Sequence, residues 1–225
     1  MNFDIHFIHE CKSTNEEAKK LSSGSVIYTQ KQTNGKGRMG RKWYDGDGNL
    51  MASIVLKKEQ NAHLYSFLIS LAVAQSIAFL SPRIKWPNDI LIDGKKICGI
   101  LLETTEDTLI IGIGVNIQSH PTDELLYKAT DLKEHGRAVK AEKLLQDILQ
   151  NLSFMIELYH QKGFEQIRLE WLNFACGLGK EISVRLPNAT LTGIFEGIDE
   201  NGTLLLTDEQ GQKHSITAGD VFMIE

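Results

Sequence analysis

The chain has 225 residues, 42% hydrophobic and 24% charged, with only four prolines. This is globular composition, long enough to bury a sizeable core and unlike disordered, collagenous or disulfide-dense sequences. Lysine and arginine total 24 against 29 aspartates and glutamates, a net charge of −5. The chain as a whole is therefore not a polyanion binder, and any anion site must be local. Cys11, Cys98 and Cys176 form no C-x-x-C pair and no zinc-ligand spacing, so neither a disulfide scaffold nor a set of fixed metal ligands is expected. The first residues lack a signal peptide's basic start and apolar run, and a reducing cytoplasm is the expected compartment.

In chain order, a strand over Phe3 to His9 precedes Ser13-Thr14-Asn15-Glu16. That hydroxyl followed three residues later by a carboxylate reads as a capping box for a helix over Thr14 to Ser22. Apolar or β-branched runs then predict strands at Val26 to Gln30, Asn49 to Leu56, Ile90 to Ile92, Ile97 to Thr104 and Thr108 to Ile117. Gln60 to Pro82 carries no Asp, Glu, Lys or Arg. Its apolar core, Leu64 to Leu80, holds 17 residues and is interrupted by Ser66, Ser70, Gln75 and Ser76. A membrane span needs about 20 apolar residues, so a helix buried under a sheet is the better reading and no membrane partner is expected. Helices follow at Ala141 to Tyr159 and Phe164 to Phe174, split by Gly163. After Cys176, short alternating runs separated by Pro187-Asn188, Asn201-Gly202 and Glu209-Gln210-Gly211 read as a small β module packing on what precedes it. The fold class is α+β, with a mixed or antiparallel sheet and flanking helices over 1–176 and a β module over 177–225.

Three segments carry chemistry. Gln32 to Trp43, QTNGKGRMGRKW, interleaves glycines with Lys36, Arg38, Arg41 and Lys42 and has no acidic residue. Glycine lets backbone N–H groups approach a ligand while the cations neutralise phosphate or carboxylate oxygens. The spacing is neither a Walker loop nor a dinucleotide fingerprint, and a solvated loop or an RNA-binding patch stays open on composition alone. Lys85 to Asp89, KWPND, leads into ILIDGKKICGILLE, where Asp93-Gly94 marks a hairpin. Asp89 reads alone as a turn residue, and Lys96 as an edge-strand lysine. Gly112-Ile113-Gly114-Val115-Asn116-Ile117 places an amide after a glycine-broken strand, for which a structural bulge is the plain alternative.

Taken together, Ser13-Thr14-Asn15, GKGRMGRKW, KWPNDILIDGKKICGILLE, GIGVNI and the β module closely resemble the biotin protein ligase family, in its order and across essentially the whole chain. The resemblance implies a class II synthetase-like catalytic domain with an SH3-like β-barrel after it. It implies an enzyme that adenylates biotin with ATP and Mg²⁺, then transfers biotin to a lysine of the biotin carboxyl carrier protein of acetyl-CoA carboxylase. Carried over by position, Ser13, Thr14, Asn15, Gln32, Gly35, Lys36, Arg38, Lys96 and Gly99 would bind biotin. Arg38, Arg41, Trp43, Asn88, Lys96 and Asn116 would bind ATP or the adenylate, with Lys96, Arg38 and Asp89 catalytic. Asp89 would orient or deprotonate the acceptor lysine. The magnesium would arrive with ATP rather than on fixed protein ligands. The first strand starts near residue 3, so the DNA-binding helix-turn-helix of bifunctional members is not expected, and the family includes both monomers and homodimers. The loop departs from the family at Lys36, where arginine is common, and at Met39, where a basic residue is frequent. A lipoate or octanoate ligase of the same superfamily is the near alternative.

Overall fold

A computed structural model describes residues 1–44, 46–122 and 128–224. The elements are β1 (Asp4–Phe7), α1 (Thr14–Ala18), β2 (Ser25–Thr29), β3 (Leu50–Lys57), α2 (Tyr65–Ser76), β4 (Arg83–Lys85), β5 (Asp89–Ile92), β6 (Lys95–Thr104), β7 (Thr108–Val115), α3 (Ala141–Lys162) and α4 (Phe164–Phe174). After them come β8 (Glu181–Arg185), β9 (Thr190–Ile198), β10 (Leu204–Thr207), β11 (Lys213–Ile216) and β12 (Asp220–Met223). Seven strands form one sheet in the order β1-β2-β3-β7-β6-β5-β4, parallel at β1–β2 and antiparallel elsewhere. The other five form an antiparallel sheet ordered β11-β10-β9-β8-β12. The mixed sheet, the flanking helices and the separate β module are as the sequence pattern predicts.

β-Strand side chains alternate between faces, so each strand sorts its residues into two layers. Val26, Ile54 and Ile111 join the large core, while Ile27, Val55 and Ile110 join a small cluster with Ala18 of α1. The large core lies under α2, α3 and α4. α2 is apolar all round because it is enclosed: Leu68, Ile69, Leu71, Ala72, Val73 and Ala74 are fully buried. Its serines turn inward on the helix, with Ser70 Oγ donating to the Phe67 carbonyl and Ser76 Oγ to that of Ala72. Among the described residues no helix is long and apolar enough to cross a membrane.

Two local expectations are corrected. Helix α1 ends at Ala18, short of Ser22, and its capping box does not form: Ser13 makes no side-chain cap, and Glu16 pairs with Lys19 at 3.0 Å and Lys36 at 2.9 Å. Ser13 instead faces a cleft described below. The sequence reading also missed β4; Lys85 and Asp89 are paired residues of a hairpin closed by Trp86, Pro87 and Asn88. Asp93 (φ 48°) and Gly94 (φ 74°) form the predicted tight turn between β5 and β6.

The C-terminal sheet shares the hydrophobic core: Ile182, Val184, Phe195, Ile198 and Leu204 pack in the same cluster as α2 and α4. Trp86 Nε1 donates to the Gly202 carbonyl at 3.0 Å, and Arg168 Nη1 to that of Ile198 at 3.1 Å. Gly202 sits at φ 73°, and a Cβ there would fall 2.4 Å from the Phe67 ring. Gly202→Ala thus combines left-handed strain with overpacking, together about 2–4 kcal/mol. We expect its melting temperature to fall by roughly 5–15 °C; an unchanged melt would mean that this contact does not hold the two sheets together.

Candidate active site

The face of the large sheet away from α2 carries a half-open cleft with about 440 Å³ of empty space. It is walled by Ser13, Thr14 and Asn15 from the start of α1, by Gln32, Lys36, Gly37 and Trp43 from the basic loop, and by strand residues of β3, β6 and β7. The loop is a miniature hairpin. Trp43 N–H donates to the Gly35 carbonyl at 3.0 Å and Gly37 N–H to that of Arg41 at 2.7 Å, with a turn at Arg38–Gly40. Met39 (φ 55°) and Gly40 (φ 73°) are both left-handed at the tip.

Glycines bring the loop down onto the sheet. Gly99 and Gly114 are register partners on β6 and β7. A Cβ on Gly114 would lie 2.2 Å from the Trp43 indole, and one on Gly99 2.8 Å from it. Two residues away on the same face, a Cβ on Gly112 would strike Asn15 Oδ1 at 2.4 Å. β6 and β7 stay in register through these positions, so the glycines make room for side chains and form no bulge.

A buried ion triad lies beside the cleft. Asp89 Oδ1 is 2.6 Å from Lys96 Nζ and its Oδ2 is 3.3 Å from Lys85 Nζ, with Asp89 and Lys85 almost wholly buried. Burial pushes the Asp89 carboxyl up, but the two ammonium groups outweigh it and hold the carboxyl below its usual range. Burial also pulls Lys85 below the usual lysine range, against the attraction of Asp89. Lys96 lines the cleft, with Nζ 5.7 Å from the centre of the Trp43 ring. β6 is an interior strand, so Lys96 is not the edge lysine that its sequence context allows.

The cleft brings together Ser13, Thr14, Asn15, Gln32, Lys36, Trp43, Lys96 and Gly99 of the expected site. Gly35 lies just behind, where a Cβ would meet Gln32 Nε2 at 2.9 Å. Four others sit off the walls. Arg38 Nη1 donates to Asn88 Oδ1 at 3.0 Å, and Asn88 Nδ2 donates to the Ile100 carbonyl at 2.7 Å. Arg41 reaches across to the C-terminal sheet, where its Nη2 is 2.9 Å from Asp220 Oδ1. Asn116 Nδ2 donates to the Thr130 carbonyl, while its buried Oδ1 has no partner among the described residues. The sequence reading missed Ser53, Glu103 and Lys85 near the site. Lys85 and Glu103 open and close the KWPNDILIDGKKICGILLE block without being named as site residues, whereas Ser53, a serine in an apolar strand, carries no local signal. Among the described residues no three His, Cys, Asp or Glu side chains gather to hold a metal ion.

The biotin/lipoate A/B protein ligase family matches residues 8–117, and the biotin protein ligase C-terminal domain matches residues 177–223. The chain is 37% identical to the bifunctional ligase/repressor BirA of Bacillus subtilis, over 92% of this chain and 70% of that protein. It is 34% identical to the biotin–[acetyl-CoA-carboxylase] ligase of Paracoccus denitrificans, over 93% and 96% respectively. The biotin protein ligase of Aquifex aeolicus, solved with biotin and ATP, matches with a TM-score of 0.88 and 29% identity over 97% of both chains. The chain belongs to the biotin protein ligase family, and is an enzyme of the ligase class.

Because the folded Asp89 pKa is depressed, the triad's contribution to stability is complete above the unfolded carboxyl pKa of about 3.9 and is lost as the pH falls through the lower folded value. Asp89→Asn removes the carboxylate that offsets two ammonium groups, one of them on the almost wholly buried Lys85. We expect it to cost about 3–5 kcal/mol at pH 7 and to flatten the acid limb of the stability profile, read by denaturant unfolding between pH 2 and pH 7. An unchanged midpoint at pH 7 would show that the triad contributes nothing net.

Proposed function

We propose that the chain joins biotin to ATP, forming biotinyl-5′-AMP and releasing pyrophosphate, and then passes biotin to one lysine of the biotin carboxyl carrier protein of acetyl-CoA carboxylase. On this reading residues 1–176 form the catalytic unit and 177–225 a docked module, working in the cytoplasm. The observation that carries it is Lys96, fixed by Asp89 at the wall of a cleft whose other end is lined with hydroxyl and amide groups. The ligase solved with biotin and ATP, and the acetyl-CoA-carboxylase ligase of P. denitrificans, supply the substrates by likeness.

A carboxylate oxygen of biotin attacks the α-phosphorus of ATP; the new acyl–phosphate bond forms as the α–β bridge breaks and pyrophosphate leaves. Two anionic partners meet, so fixed cations must offset their repulsion and the charge developing on the α-phosphoryl oxygens. Lys96 supplies one, and Arg38 the other from the loop. Mg²⁺ carried on the nucleotide would add further screening. In the second step a neutral lysine amine of the carrier attacks the acyl carbon and AMP leaves. Both Asp89 oxygens are engaged by ammonium groups, so its role here is to hold Lys96 in place rather than to take the acceptor's proton. Ser13, Thr14, Asn15, Gln32, Lys36 and Gly99 surround biotin, with Gly35 behind Gln32 and with Met51 and Leu101 against its apolar parts. The unpartnered Asn116 Oδ1 suits an exocyclic amine such as that of adenine, and Asn88, Arg41 and Trp43 complete the nucleotide side.

The test is exchange of labelled pyrophosphate into ATP with Mg²⁺ and biotin, lipoate, octanoate or no acid. Exchange is expected with biotin alone; exchange with lipoate instead, or with none, would overturn the reading. Lys96→Ala is expected to lose about 10²–10³-fold in biotin-dependent exchange, and a normal rate would remove Lys96 from the chemistry.

A further inference from the structure

The stretch of chain that begins at Asn116 is gripped from two sides. On one side is Asn49, wholly buried at the foot of the basic loop. Its Oδ1 accepts the backbone N–H groups of Ile117, Gln118 and Ser119 at 2.8, 3.0 and 3.3 Å, and its Nδ2 donates to the Ser119 carbonyl at 2.8 Å. On the other side runs a strap, residues 128–133. Lys96 N–H donates to the Lys128 carbonyl at 2.8 Å, and Thr130 N–H to that of Lys96 at 3.0 Å. Leu132 N–H and Lys133 N–H donate to the Asn116 and Ile117 carbonyls at 3.2 and 3.0 Å. The strap thus holds the backbones of both Lys96 and Asn116.

It also decides which way the Asn116 amide points. Asn116 is almost wholly buried, and its Nδ2 donates to the Thr130 carbonyl at 3.1 Å. A carbonyl only accepts, so no other orientation of the amide satisfies this contact. The Oδ1 left over has no partner among the described residues. A fixed, buried amide oxygen accepts an N–H and repels a carbonyl, so the polarity of this position depends on where the Thr130 carbonyl is held.

Two side chains that do not line the cleft fix that carbonyl from behind. Asp131 follows Thr130 in the chain and is almost wholly buried. Its Oδ1 accepts the Glu134 backbone N–H at 2.7 Å, which folds the end of the strap into a turn, and its Oδ2 lies 2.7 Å from His120 Nδ1. His120 belongs to the stretch that carries Asn116. The pair therefore ties strap and stretch together through side chains, just beyond the place where the amide meets the carbonyl.

We infer that Asp131 and His120 are positioning residues for nucleotide selection: by keeping the Thr130 carbonyl against the Asn116 amide, they make Asn116 an acceptor that takes a 6-amino purine and refuses a 6-oxo one. This rests on the reading of Asn116 as part of the nucleotide site. Without the pair the strap slackens beside Thr130, the amide is free to turn, and its NH₂ can meet a 6-oxo group. In Asp131→Asn both contacts survive, the amide oxygen accepting from Glu134 N–H and the NH₂ donating to His120 Nδ1 in its other tautomer.

The experiment measures biotin-dependent pyrophosphate exchange on the full chain at pH 8 with Mg²⁺ and either ATP or inosine triphosphate, which carries oxygen in place of the exocyclic amine. A buried polar group left facing the wrong partner discriminates far more strongly than shape does, so wild type should prefer ATP by about 10²-fold or more. Asp131→Ala and His120→Ala should each narrow that ratio about tenfold, raise ATP KM and leave biotin KM within about twofold, and the double variant should add little to either. Asp131→Asn should keep a ratio within about twofold of wild type. The His120 side chain is 24% exposed, so His120→Ala carries the test where Asp131→Ala does not fold. A wild type that uses both nucleotides equally, or an unchanged ratio in the alanine variants that fold, overturns the inference. So does an Asp131→Asn ratio no better than that of Asp131→Ala. Wild-type chain without biotin-dependent exchange with ATP overturns the functional reading itself, and this inference with it.

Discussion

One carboxylate organises the catalytic half of the molecule. Asp89 opens β5 as the hairpin partner of Lys85, and Lys96, paired with Leu91 on β6, reaches back past a register shift to its other oxygen. Buried charges of one sign are costly, and an ion group survives inside a protein only when geometry and hydrogen bonding are both good. The consequence is a lysine head that protrudes into the cleft with its position settled before any ligand arrives, which is what electrostatic catalysis requires. The cleft could not form around an unpaired Lys96, because its own charge would draw in water or drive the side chain outward.

Around that fixed cation the site is assembled by removal of side chains. Gly99, Gly112 and Gly114 leave a bare patch of sheet on which Trp43 and Asn15 lie flat. The loop is thus keyed to the sheet by shape while its charges are dealt outward: Lys36 to Glu16 on α1, Arg38 to Asn88 and Arg41 to Asp220 on the second sheet. The rim is electrostatic and exposed, the seat is steric and dry, and the two have different sensitivities to salt.

Much of this was legible in the residues. Strand periodicity, the Asp93-Gly94 turn and Gly163 between α3 and α4 were local, and local signals place elements well. The glycine-cation loop and the KWPND block announced their chemistry through residue type and order. What could not be read was partnership across sequence distance. Ser13 and Glu16 have the spacing of a capping box, but tertiary partners won over local ones. Arg41 looks like its neighbours in the loop, yet its carboxylate lies 179 residues downstream. Ser53 is an ordinary strand residue until β3 is folded against α1, where its Oγ meets Thr14 and Asn15, and such a contact leaves no period in the strand.

The hydrophobic core does not stop at the boundary between the two sheets. Phe67 of α2 meets Trp171 and Phe164 of α4 edge-on at 5.4 Å and lies against Gly202 of the second sheet. Such a seam makes the C-terminal sheet a structural wall of the catalytic half instead of an appendage on a tether. Cutting the chain after α4 would strip Trp86 of its hydrogen bond to Gly202 and uncover Phe67, so the smaller sheet acts as part of the core's lid and the two sheets should melt together.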